Sequence, residues 1–238
     1  MAVSPPFDST ISRPPWPRRS VPRFAKTGSP LWYCAGLAAI AGLLASGSSV
    51  PGVGATTGKA VAAQPASLAG QLLVARPELR DPRFSRTVVY IVHHDAGGAM
   101  GLILNRPIGE ASLSELLEQS GVEGKGVNGE IRVHFGGPVE PGRGFILHTA
   151  DYNIEGTQVV KDGIAMTTRP EVLRAMGTGT GPRKSLFALG YAGWASGQIE
   201  GEIKTGSWEI VPADKALVFD DDYETKWERA MARRTIRL

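Results

Sequence analysis

The chain has 238 residues, with 26 Lys and Arg against 23 Asp and Glu, and one cysteine, Cys34. The charge is uneven: residues 1–64 carry a net of +5, which leaves −2 for residues 65–238, so the basic face of a folded nucleic-acid binder is not expected there. A lone cysteine excludes an intramolecular disulfide, and its place at position 34 excludes thiol catalysis and cysteine–zinc sites from the remainder of the chain.

Residues 5–30 are rich in Pro, Ser and Arg, a composition that predicts disorder. A charge-free run of 32 residues then separates Lys26 from Lys59, with its apolar centre at Leu31–Ala45. As a helix these residues reach about 22 Å, short of the roughly 30 Å of a bilayer core. Such a run suits the apolar region of a signal peptide, with cleavage expected after Ala55 or Ala62. The expectation is therefore a basic leader over 1–64 and one domain over 65–238. The protein would be exported, to the periplasm, or held at a membrane by an uncleaved leader. The alternative is a cytoplasmic protein whose start codon lies further on.

Leu68–Ala75 reads as a strand, followed by a loop punctuated by Pro77 and Asp81-Pro82. Thr87–His93 is a continuous β-branched and apolar run, the pattern of a strand buried on both faces. Gly97-Gly98 turns it back into a strand at Met100–Leu104. Ser112 and Glu115 have capping-box spacing ahead of a helix that Gly121 stops. Strands are expected at Ile131–Phe135 and Gly144–His148, joined by Gly136-Gly137-Pro138, and at Ile164–Thr167. Thr168 is placed to cap a helix over Pro170–Met176. A strand at Ser185–Gly190, a short helix at Ala195–Ile203, a strand at Ser207–Val211 and a helix at Tyr223–Arg234 complete the chain. Strands and helices do not alternate strictly, so the expected class is α+β with a mixed sheet.

Residues that could carry chemistry occur singly. His93 and His94 are adjacent near a strand end and point to opposite faces, so regular geometry keeps them from sharing one metal. His134 and His148 lie on other strands. The run Gly177-Thr-Gly-Thr-Gly-Pro-Arg-Lys-Ser185 lacks the glycine before Lys-Ser that a phosphate loop needs, and it precedes a strand instead of a helix. Asp220, Asp221 and Asp222 suit a helix N-terminus. Neither Ser85 nor Ser196 sits in a nucleophile elbow. Tyr191, Trp194, Gln198 and Glu200 form the richest group. They offer a shallow binding surface, or else a glycine-rich turn with Trp194 packed as core.

Several blocks together resemble the AlgH/YqgE family: Gly70-Gln-Leu-Leu-Val-Ala-Arg-Pro77, Asp81-Pro-Arg-Phe-Ser-Arg-Thr-Val-Val-Tyr90, Gly98-Ala-Met-Gly-Leu-Ile-Leu-Asn-Arg-Pro107, Gly136-Gly-Pro-Val139 with Gly144-Phe-Ile-Leu-His148, and Gly190-Tyr-Ala-Gly-Trp-Ala-Ser-Gly-Gln-Ile-Glu200 followed by Trp208. They run in the family's order over about residues 68–232. Ser207 stands where the family commonly has Asn, and the leader departs from a usually cytosolic family. The resemblance implies sheets bent into a partial barrel with flanking short helices. It implies no catalytic, cofactor or metal residue, and a regulatory role only through the family's name. The expected function is a non-catalytic binding or regulatory domain with a protein or small-molecule partner, Tyr191, Trp194, Gln198 and Glu200 being the candidate surface. The alternatives are an enzyme built on His93, His148 and Asp95 or Glu200, and a transcriptional regulator.

Overall fold

The structure is a computed structural model, and it describes residues 67–234. The leader expected over 1–64, with its apolar run and cleavage sites, lies outside the described residues. What is described is an α+β domain: a curled, mainly antiparallel sheet bent into a half-barrel, with short helices on its flanks.

The main path of the sheet runs β10 (Trp208–Pro212), β1 (Gln71–Ala75), β2 (Val88–Asp95), β3 (Gly98–Ile103), β9 (Ser185–Ala195), β6 (Val139–Thr149), β8 (Ile164–Thr167) and β7 (Gln158–Lys161). Off this path, β4 (Pro107–Ser112) pairs with β5 (Glu130–Phe135), and β5 joins β9 in parallel. Val88–Val92 of β2 are at most 1% exposed. Their side chains alternate between two cores: Val88, Tyr90 and Val92 enter one, Val89 and Ile91 the other. That is why the run has no polar alternation. The curl brings β7 against β2, where the Gln158 amide donates to the Val92 carbonyl at 3.2 Å.

β9 is the hub, bonded to β3, β5 and β6. Its twist past Gly190 depends on a close crossing. The chain leaves β5 on one side of β9 and begins β6 on the other, passing through Gly136-Gly137-Pro138. A β-carbon on Gly136 would stand 2.2 Å from the Gly190 carbonyl oxygen, and one on Gly137 would stand 2.1 Å from the Tyr191 carbonyl carbon. Gly190 itself has φ +70°, the left-handed region.

Among the described residues five short helices flank the sheet: α1 (Leu113–Gln119), α2 (Glu171–Gly177), α3 (Gln198–Lys204), α4 (Lys215–Phe219) and α5 (Lys226–Ala232). The helix expected from Tyr223 starts only at Lys226, because Asp222 accepts from the Thr225 amide and hydroxyl and keeps the preceding turn non-helical. The capping box at Ser112 and Glu115 does not form: the Ser112 hydroxyl bonds that of Ser114 at 2.7 Å instead of an amide of α1. Thr168 does not cap α2, whose N-cap is Pro170, while the Thr167 hydroxyl accepts from the Arg169 amide. Lys226 is fully buried and donates to the carbonyls of Leu217, Val218 and Asp220, closing the C-terminal end of α4. The Trp227 indole donates to the Ala75 carbonyl at 2.7 Å, docking α5 on β1.

Candidate functional site

The four histidines do not converge. His94 is 7% exposed, and its Nδ1 accepts the Leu68 amide at 3.0 Å. The proton of the neutral ring is therefore on Nε2, which donates to Glu200 Oε1 at 2.9 Å. His93 points the other way, as strand alternation requires, and its Nε2 meets Asp95 Oδ2 at 3.0 Å. The Gly97 amide, and after it His93, holds the Asp95 carboxyl below its ordinary range. His134 is buried; its Nδ1 donates to the Phe187 carbonyl at 3.2 Å, and its Nε2 has no partner. His148 is buried, donating from Nδ1 to the Thr149 carbonyl at 2.9 Å. Register separates these last two: His134 lies opposite Ala188, whereas His148 lies opposite Ser185, three positions away and so on the other face of β9. Among the described residues no group of three or more His, Cys, Asp or Glu is set to hold a metal.

Two further candidates from the sequence have structural occupations. The Gly177–Ser185 run leads from the end of α2 into β9. Asp220 takes the Arg229 guanidinium at 2.7 and 2.9 Å and the Lys226 ammonium at 3.1 Å.

The group Tyr191, Trp194, Gln198 and Glu200 divides. Trp194 is 7% exposed, and its indole donates to Glu202 Oε2 at 2.9 Å. The Trp208 indole donates to the same oxygen at 2.8 Å. Gln198 spans the site, accepting from the Ala195 amide at 3.0 Å and donating to Glu202 Oε1 at 2.9 Å. Glu200 is engaged by His94. Glu202, which sequence reasoning passed over, is thus the centre of the cluster. The signal available for it was its place four residues after Gln198 on a helix. Tyr191 alone turns toward the other face, packing edge-on to Phe145 at 5.7 Å.

That face opens into a groove of about 650 Å³ at one end of the half-barrel. Its apolar part includes Met100, Val139, Phe145, Met166 and Tyr191, and its polar part His93, Asp95, Arg143, Gln158 and Thr168; Trp194 also borders it. Arg143 lies over the Phe145 ring at 5.2 Å and pairs with Glu140 at 3.0 Å. Met100 and Val139 fall inside family-like blocks, whereas no motif marks Arg143 or Gln158. Only the curl of the sheet brings them together.

The profile of the AlgH-like family, DUF179, matches residues 72–238. The chain belongs to the AlgH-like family. A UPF0301 protein of Rhodospirillum rubrum is 48% identical over 166 residues, 70% of this chain and 86% of that protein. One from Caulobacter vibrioides is 48% identical over 168 residues, again 70% and 86%. The solution structure of AlgH from Pseudomonas aeruginosa superposes with a TM-score of 0.61 at 42% identity, covering 71% of this chain and 89% of that one. Protein DIP2367 of Corynebacterium diphtheriae shares the fold at 19% identity, with a TM-score of 0.57 over 71% of this chain and 88% of its own. The name UPF0301 states no activity. In this AlgH-like chain the blocks that carry the likeness are largely structural. Gly136, Gly137 and Gly190 make the crossing. Asn105 accepts from the Val88 amide and donates to the Arg86 carbonyl. Trp194, Gln198 and Trp208 converge on Glu202.

Proposed function

We propose that this AlgH-like domain is a non-catalytic binding module, and that the groove at the end of the half-barrel is its contact surface. The observation that carries this reading is the lining of the groove. Tyr191, Met100, Phe145 and Val139 supply apolar contact, and Arg143 and Gln158 supply fixed polar groups, the mixture that ligand sites use. The His93–Asp95 pair argues less strongly for chemistry. Both side chains are more than half exposed, 53% and 58%, and among the described residues no hydroxyl or amine nucleophile is hydrogen-bonded to His93. A general-base role for His93, oriented by Asp95, is the second reading, and their 3.0 Å contact is what favours it.

Complementation of a deletion strain tests the two against each other. Arg143→Glu and Tyr191→Ala should lose function while His93→Ala retains it, each protein melting as the parent does. A folded His93→Ala protein without function would give the enzyme reading precedence.

A further inference from the structure

We infer that the groove takes an extended peptide, added as a strand to the open side of β9 and ending in a carboxylate at Arg143; this rests on the groove being the binding surface. The ladder between β6 and β9 has its last rung at Val139↔Tyr191, yet β9 continues to Ala195. Over that stretch β3 covers only one side, with rungs from Gly101↔Ala192 to Gly98↔Ala195. Backbone groups alternate along a strand. The Ala195 amide turns away from β3, because the Gln198 side chain accepts it. Gly193, two residues earlier, therefore presents its N–H and C=O to the same side, where no strand of the described residues lies. The segment before Val139 does not fill the place, since the crossing at Gly137 takes it to the far side of β9.

Gly193 is exposed and has no side chain to shield its backbone. The position is thus built for strand addition, in which main-chain bonds supply affinity and flanking pockets supply choice. A strand on this line that runs antiparallel to β9 has the direction of β6, and its C-terminal end meets Val139. Val139 is 36% exposed there, an apolar shoulder for the last side chain. Between Val139 and Gly144 the register shifts, and this bulge carries Arg143, whose guanidinium is half exposed at 53%. A carboxylate arriving at the strand end would share Arg143 with Glu140.

The probe is N-acetyl-Ser-Thr-Val-Leu, as the free acid, as the C-terminal amide, and as a scan of single backbone N-methylations. It is titrated into the ¹⁵N-labelled full-length protein. The free acid should shift the Gly193 amide resonance. At least one N-methylated form and the amide should each bind roughly tenfold more weakly, as loss of one main-chain bond or one charge-assisted bond implies. Arg143→Ala should bring the free acid down to the level of the amide. Because the N-methyl groups are on the peptide, misfolding of a variant cannot imitate the result. Shifts at Tyr191 and Met100 with no sensitivity to N-methylation would overturn strand addition and leave the groove reading standing. No shift at Gly193 from any form would overturn it too, and the complementation test would then judge the groove by itself.

Discussion

Gly190 and Gly137 pass so closely that a β-carbon on Gly190 would stand 2.4 Å from the Gly137 carbonyl oxygen. Gly190 also has φ +70°. Gly190→Ala therefore combines backbone strain with a clash against main chain, and it should cost about 3 kcal/mol or more. Gly179→Ala is the control. Its φ is +74°, but nothing lies within 4 Å of its β-carbon position, so strain alone should cost about 1 kcal/mol. Urea unfolding of both variants checks the contrast. Equal losses would mean that the crossing gives way.

Glu202 holds two indoles with one oxygen. Glu202→Ala should cost about 2–4 kcal/mol, because it leaves the Trp194 and Trp208 N–H groups unpaired in the core. Trp194→Ala should cost about 3–5 kcal/mol, the range for a buried large aromatic. Gln198→Ala, at an exposed position, should lose about 1 kcal/mol. The order of these three melting temperatures is the measurement. A Trp194→Ala loss below about 1 kcal/mol would place that residue among ordinary surface positions.

Burial pushes the His134 imidazole down to about 4, with Lys226 and Arg132 acting in the same direction against the Phe187 carbonyl. The ordinary value is about 6.5. Between these values the unfolded chain binds a proton at this residue and the folded one does not. His134 accordingly lowers stability as pH falls from about 6.5 toward 4, by up to roughly 3 kcal/mol. Above pH 6.5 it has no such effect. His134→Gln should flatten the dependence of unfolding free energy on pH across this window. An unchanged slope would assign the acid sensitivity to other groups.

The charge and apolar pattern of residues 1–64 leads us to propose export. Mass spectrometry of protein recovered from fractionated cells should find a mature terminus near Thr56 or Ala63 in the periplasm. An intact Met1 terminus in the soluble cytosolic fraction would contradict this, and an intact chain in the membrane would indicate an anchor.

Much of the sheet was legible in the sequence, because β2 and the strand at Ile164–Thr167 announce burial through composition and Ile131–Phe135 alternates apolar with polar residues. β4 was not legible. It carries Pro107 and Gly109, pairs among the described residues with β5 alone, and bulges between those two residues. α4 is five residues long, too short for any helical period to register. The candidate site was less legible than the fold. Tyr191 stood out among its glycines, but Val139 and Arg143 come from β6 and Gln158 from β7, and only the curl brings the two strands to one groove beside it. The likeness in the Gly190–Glu200 block likewise could not tell a binding surface from a brace. The distinction depends on Glu202, further along α3, and on Trp208 and His94, which reach the block from β10 and β2.

β1, among the first described segments, is flanked by β2 and by β10, which follows nearly the whole domain in sequence. A chain leaving the ribosome therefore keeps one side of β1 unpaired until Trp208–Pro212 have been made, and Ala75 waits longer still for the Trp227 indole. Such long-range closure slows folding. The edge of β1 therefore closes only when the last strand and the last helix have been made, so loss of either segment should leave that edge open to pairing with another chain.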